Sequence, residues 1–130
     1  MINAVNYRPN NKLILLVTSD PFNSDFFIDS TQIQYCHVNS KSKIFPSIST
    51  LQPCTIIFDH DFLKDEVQNL VWRIRTNPFY AKLKICCLKA SFNRKTDEQL
   101  KTTGVDYLIY KNNTLSAVWY ILFNNIKNTL

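Results

Sequence analysis

An aspartate and two lysines are spaced so that their chemistry could converge. Asp59 closes the apolar run Cys54-Thr-Ile-Ile-Phe-Asp59, Lys89 closes a second such run and Lys111 a third. Lys89 and Lys111 follow Asp59 by 30 and 52 residues. Each interval is long enough for a loop, a crossover helix and a returning strand, which parallel pairing requires. A carboxylate and two ammonium groups would then meet at one rim of a parallel sheet, the edge at which open α/β sheets hold their ligands.

The elements that must position them are legible in the apolar pattern. Residues 1–11 are polar, Asn-rich and without periodicity, and read as a loose, flexible tail ahead of a single domain over 12–130. Strands are predicted at 13–17, 31–38, 55–58, 84–88 and 106–110. The first is continuously apolar, as a strand buried on both faces is, and the second alternates, as a shallower one does. Short helices are predicted at 22–28 and, crossed by Pro46, within 39–52. Val67, Leu70, Val71 and Ile74 recur at the spacing of a helix with one face on a sheet. A further helix at 97–103 closes at Gly104. With only one Gly in the chain, turns needing positive φ are expected on Asn or Gly104. The last helix, 114–128, sets Leu115, Val118, Trp119, Leu122, Phe123 and Ile126 on one broad face and leaves Tyr120 and Ile121 off it. Five strands alternating with helices predict a doubly wound parallel α/β sheet.

Composition narrows the function classes. At 130 residues, 45% apolar and 19% charged, the chain fits one domain and is neither disordered nor of low complexity. Neither a bilayer-spanning apolar stretch nor a basic-then-apolar leader pattern is present, so a soluble cytoplasmic protein is expected. Cys36, Cys54, Cys86 and Cys87 lack zinc-type spacing and read as reduced core residues. The net charge is +5, with Lys and Arg occurring in the pairs Lys41/Lys43, Arg73/Arg75, Lys82/Lys84 and Arg94/Lys95. These read as solvated faces, with a basic nucleic-acid surface the lesser alternative. His37, with no ligand at metal spacing, reads as an ordinary strand histidine. The turn Thr18-Ser-Asp-Pro21 has neither the Gly of a dinucleotide loop nor a P-loop Lys, and Ser19 lacks the flanking glycines of a nucleophile elbow.

Over residues 12–128 the chain resembles the receiver domains of two-component response regulators. Asp59 matches the family's phosphoacceptor Asp ending strand three, and Lys111 in Gly104-Val-Asp-Tyr-Leu-Ile-Tyr-Lys111 matches the Lys of its G-x-D-x-x-x-x-K segment. Trp72-Arg-Ile-Arg75 is similar to the family's usual ending of helix three. The resemblance implies a flavodoxin-like sheet of order 2-1-3-4-5. Departures fall on the catalytic positions. Thr18 and Ser19 stand where the family carries the acidic pair that holds Mg²⁺, and Asp20 comes one position late. Lys89 replaces the Thr or Ser ending strand four. Leu108 replaces the switch aromatic of strand five, with Tyr107 and Tyr110 expected on the opposite face.

Neutral hydroxyls are poor Mg²⁺ ligands, so no metal or cofactor is expected. Asp61 is the one side chain that could join Asp59 in holding Mg²⁺ weakly. In the cation's place, Lys89 and Lys111 are expected to balance Asp59. The resulting expectation is a non-enzymatic, atypical receiver that signals by binding a protein partner, either a sensor kinase or an output protein. Its partner or homodimer surface would be the family's helix four, strand five and helix five, here Lys101, Tyr107, Tyr110, Tyr120 and Ile121. Because the sequence ends at Leu130, directly after the last predicted helix, output is expected through binding. The alternatives are a receiver still phosphorylated at Asp59 and a basic-surface nucleic-acid binder.

Overall fold

The computed structural model describes residues 10–19 and 34–110. Strand β1, Asn10–Val17, leads to β2, Gln34–Val38. A 3-10 turn at Lys41–Lys43 then opens into helix α1, Ile44–Leu51. Strand β3, Pro53–Asp59, runs into the single turn α2, His60–Leu63, and the longer helix α3, Glu66–Arg75. A 3-10 turn at Pro78–Tyr80 precedes β4, Lys84–Lys89. Helix α4, Arg94–Thr103, and strand β5, Tyr107–Tyr110, complete the described elements. All strand pairs are parallel, in the order β2-β1-β3-β4-β5, so the doubly wound, flavodoxin-like sheet is as predicted. Helices predicted at 22–28 and 114–128 lie outside the described residues.

Strand identity follows from burial. All seven residues of β3 are buried, as are Leu13 to Val17 of β1, because both faces of the sheet are covered. One face contributes Leu15, Val17, Ile56, Phe58, Ile85 and Cys87 to a core completed by Ile44 and Ile48 of α1, by Val67, Leu70, Val71 and Ile74 of α3, and by Leu100 of α4. The other contributes Ile14, Leu16, Ile57, Cys86, Leu88 and Ile109. β2, at the sheet edge, keeps Tyr35, Cys36 and His37 half-buried.

Several boundaries move for local reasons. β1 begins at Asn10, inside the segment expected to be tail, where Asn10 pairs with Pro53 across a register irregularity. Pro46 is accommodated within α1 because it occupies the first turn, where the backbone N–H it lacks has no helical partner. α4 begins three residues early because Asn93 caps it, its Oδ1 accepting from Thr96 N at 3.0 Å. Among the described residues, positive φ falls on Gln52 (50°) and Lys64 (55°) as well as Gly104 (132°), and not on Asn. At Gln52 the left-handed residue ends α1, its N–H donating to Ile48 O at 2.9 Å.

Candidate functional site

Parallel strands bring their carboxyl ends to one rim, so Thr18, Asp59, Lys89 and Tyr110 share it. Register then decides which face each side chain takes. Val17 pairs with Phe58, which sets the following residues, Thr18 and Asp59, side by side. Thr18 Oγ1 accordingly donates to Asp59 Oδ2 at 2.6 Å, both residues being buried. Asp59 also caps α2, its Oδ1 accepting from Asp61 N at 3.1 Å. Asp61 gives that main-chain contact while the residue itself is exposed, and Ser19 is exposed too. Thr18 is itself fixed from two sides. Its N–H donates to Val38 O at 3.1 Å, and its carbonyl lies 2.8 Å from His37 Nε2. His37 is thus a strand residue bracing the β1 loop, as its isolation in sequence suggested.

Lys89 does not balance Asp59. The pair opposite Asp59 in the sheet is Leu88, and Lys89 is paired with Tyr110. Because strand side chains alternate faces, that single-residue offset sends Lys89 to the face opposite Asp59, the side covered by α4. There its Nζ forms an ion pair with Asp97 Oδ1, with both side chains only 5–6% exposed. Tyr110 Oη donates to the other oxygen, Asp97 Oδ2. Tyr110 therefore shares the face of Leu108 and not the opposite one, and Tyr107 alone packs with Ile109 on the far side. Phe92, exposed in the β4–α4 loop, stacks edge-on against Tyr110 with ring centres 6.3 Å apart.

The charges follow the geometry. Burial pushes the Asp97 carboxyl up, but the hydrogen bonds from Lys89 and Tyr110, together with the ammonium charge, outweigh it and hold the group below the usual carboxylate range. The bond to Asp97, helped by burial, pushes the Tyr110 phenol up to about 12. Burial, reinforced by the charge of Lys89, holds His60 below its ordinary value. Burial likewise pushes Cys87 up to about 12 and Cys86 well above its usual range, so both thiols are inert core groups.

In the sequence Asp97 marks only the start of the helix expected at 97–103. Its signal was its place on the helix. It lies three residues before Leu100, and these two are the buried residues of α4, so an acid occupies the core stripe. Among the described residues, no group of three His, Cys, Asp or Glu side chains comes together to hold a metal ion. Lys101 is exposed on α4. Lys111, Asp20, Tyr120 and Ile121 lie outside the described residues. Of the basic pairs, Arg75 is turned inward and Arg73 lies 4.2 Å from the centre of the Phe45 ring. No described helix is long and apolar enough to cross a membrane.

Neither a family model nor a curated protein matches the sequence. Solved structures do. The signal receiver domain of a DNA-binding response regulator from Colwellia psychrerythraea 34H superposes with a TM-score of 0.77 at 11% identity, covering 88% of this chain and 98% of the other. A response-regulator receiver domain from Bermanella marisrubri gives 0.75 at 18% identity, covering 87% and 96%. The receiver domain of a signal transduction histidine kinase from Syntrophus aciditrophicus gives 0.75 at 17% identity, covering 90% and 91%. Sheet order, the carboxylate ending β3 and near-complete coverage of these neighbours agree: this chain has the fold of a signal receiver domain.

Proposed function

We propose that this chain is an atypical receiver that acts as a constitutive protein-interaction module, with Asp59 a structural carboxylate and not a phosphate acceptor. The observation that carries this reading is the commitment of Lys89 to Asp97. In the receiver fold the residue ending β4 would face a phosphoryl group on Asp59, and here its charge is spent on the helix behind it.

The carboxylate's own surroundings support the same reading. Phosphoryl transfer is driven largely by positioning and by cations that offset charge on the equatorial oxygens. Mg²⁺ is held mainly by carboxylates and water. At the position of the family's first acid stands Thr18, whose hydroxyl proton points at Asp59 Oδ2. A hydroxyl donor beside a helix-capping carboxylate is a set that does not fit Mg²⁺. The partner would be a kinase or an output protein of a signalling pathway, engaged through α4 and β5, where Lys101, Phe92 and Tyr110 supply exposed or half-exposed groups.

Incubation with Mg²⁺ and acetyl phosphate, followed by intact-mass measurement, tests this directly. The expected spectrum is unchanged. A phosphoryl gain that Asp59→Asn abolishes would establish the phosphoacceptor alternative instead.

A further inference from the structure

Helix α4 is thinly anchored. Of its ten residues, Asp97 and Leu100 are buried, whereas α3 buries Val67, Leu70, Val71 and Ile74. One leucine is little apolar surface with which to fix a helix on a sheet, since position and tilt are set by packed side chains. The polar contact beside it is correspondingly specific. Asp97 uses one oxygen for Lys89 of β4 and the other for Tyr110 of β5, and these two residues are register partners on adjacent strands. The first turn of α4 is thus tied to two strand ends at once.

We infer that Lys89, Asp97 and Tyr110 form a permanent clasp that locks α4 in one position over β4 and β5, so that the α4–β5 surface is held in a single state whatever the charge on Asp59. Its use as a constitutive partner face rests on the function proposed above; the clasp itself rests on the three side chains alone. A buried ion pair contributes little net stability, because desolvation offsets most of its attraction, yet it accepts only one geometry. Such a group fixes where the helix sits more than how tightly the domain folds. The rim there carries a charge pair and a phenol that hold each other still.

Hydrogen exchange of the backbone amides of 97–103 reads the clasp. The double variant Lys89→Met/Asp97→Leu keeps the unbranched stem of the one side chain and the forked shape of the other and removes both buried charges together, so denaturant unfolding is expected to stay close to wild type. Its α4 amides should nevertheless exchange about tenfold faster, the scale of one lost buried hydrogen bond, while the amides of α3 and β3 keep their rates. Tyr110→Phe, which removes one of the two ties without leaving a charge unpaired, should accelerate the same α4 amides by a smaller factor. Unchanged α4 exchange in the folded double variant overturns the clasp. Should that variant fail to fold, unchanged exchange in Tyr110→Phe overturns it equally. Phosphorylation of Asp59 in the acetyl phosphate experiment would overturn the proposed function and leave these exchange outcomes to decide the clasp.

Discussion

The two ends of β4 are each tied to a helix by a cation and a carboxylate, and they are tied for different purposes. At the amino end, Arg75 at the close of α3 reaches under the sheet. Its Nε donates to Gly104 O at 2.9 Å, its Nη1 to Leu83 O at 2.8 Å and its Nη2 to Asp106 Oδ2 at 2.6 Å. Asp106 Oδ2 also accepts from Ile85 N at 2.8 Å, and Asp106 N donates to Ile85 O at 2.8 Å. A rigid guanidinium fork suits this task because it offers several donors in fixed directions. At the carboxyl end, Lys89 offers a point charge on a flexible stem to one buried carboxylate. The amino end binds two backbone carbonyls, Gly104 O and Leu83 O, and so supports the fold. The carboxyl end joins a helix carboxylate to side chains of two strands and sets the posture of that helix.

The sharpest way to break this contrast is Arg75→Ala. It removes the Arg75 donors from two carbonyls, leaves the Asp106 carboxylate with Ile85 N but no guanidinium, and removes the stem packed against Gly104, so a loss of about 2–4 kcal/mol is expected, read as a lowered urea midpoint at unchanged slope. Removing the tie at the other end by the paired Lys89/Asp97 replacement should cost far less in the same measurement. If the two midpoints fell together, the division between a stability end and a posture end would be lost.

Gly104→Ala probes the same staple more gently. Gly104 sits at φ 132°, and a Cβ there would lie 2.5 Å from Arg75 Cγ and 3.1 Å from its Cδ. Arg75 cannot swing aside without giving up its three acceptors. A cost of about 1–3 kcal/mol is expected from the backbone conformation and the clash together. Because the clash needs the arginine, Arg75→Ala/Gly104→Ala should be less destabilising than the two single effects added. Strict additivity in a double-mutant cycle would show that the glycine is required for its φ alone.

How much of this was readable beforehand divides along the same line. Continuous apolar runs such as Leu13-Ile-Leu-Leu-Val17 and Thr55-Ile-Ile-Phe58 announce buried parallel strands, and their order followed from the resemblance, so the sheet and the rim membership of Thr18, Asp59 and Lys89 were legible. The face each side chain takes was not. It depends on register, and the offset that pairs Asp59 with Leu88 instead of Lys89 comes from how the strands align, which no single run of residues specifies. Tyr110 could have been placed, since it lies two residues from Leu108 on one strand and must share its face. Arg75 read as half of a solvated basic pair because nothing in a sequence marks which carbonyls will lie beneath it. Asp97 marked only the start of a predicted helix, although its spacing to Leu100 already put a carboxylate on the core stripe and thereby asked for a buried cation.

A single hydrogen bond gives the cleanest spectroscopic test of the carboxyl end. Tyr110→Phe removes one hydrogen bond to Asp97 and leaves Lys89 in place, so the loss should be about 0.5–1.5 kcal/mol near neutral pH. The sign of its pH dependence is set by the phenol, which Asp97 pushes up to about 12 from an unfolded value of about 10. A group whose proton is held more tightly in the folded state contributes stability that is complete below the unfolded value and lost as pH rises through the folded one. The stability difference between wild type and Tyr110→Phe should therefore be flat through neutral pH and shrink between about pH 10 and about 12. In parallel, the ultraviolet absorbance of tyrosinate in the folded protein should lose a late step near pH 12 when Tyr110 is replaced. If the wild-type phenol instead ionised at its ordinary value, with no late step to lose, Tyr110 would not be bonded to Asp97, and α4 would be tied to β4 alone.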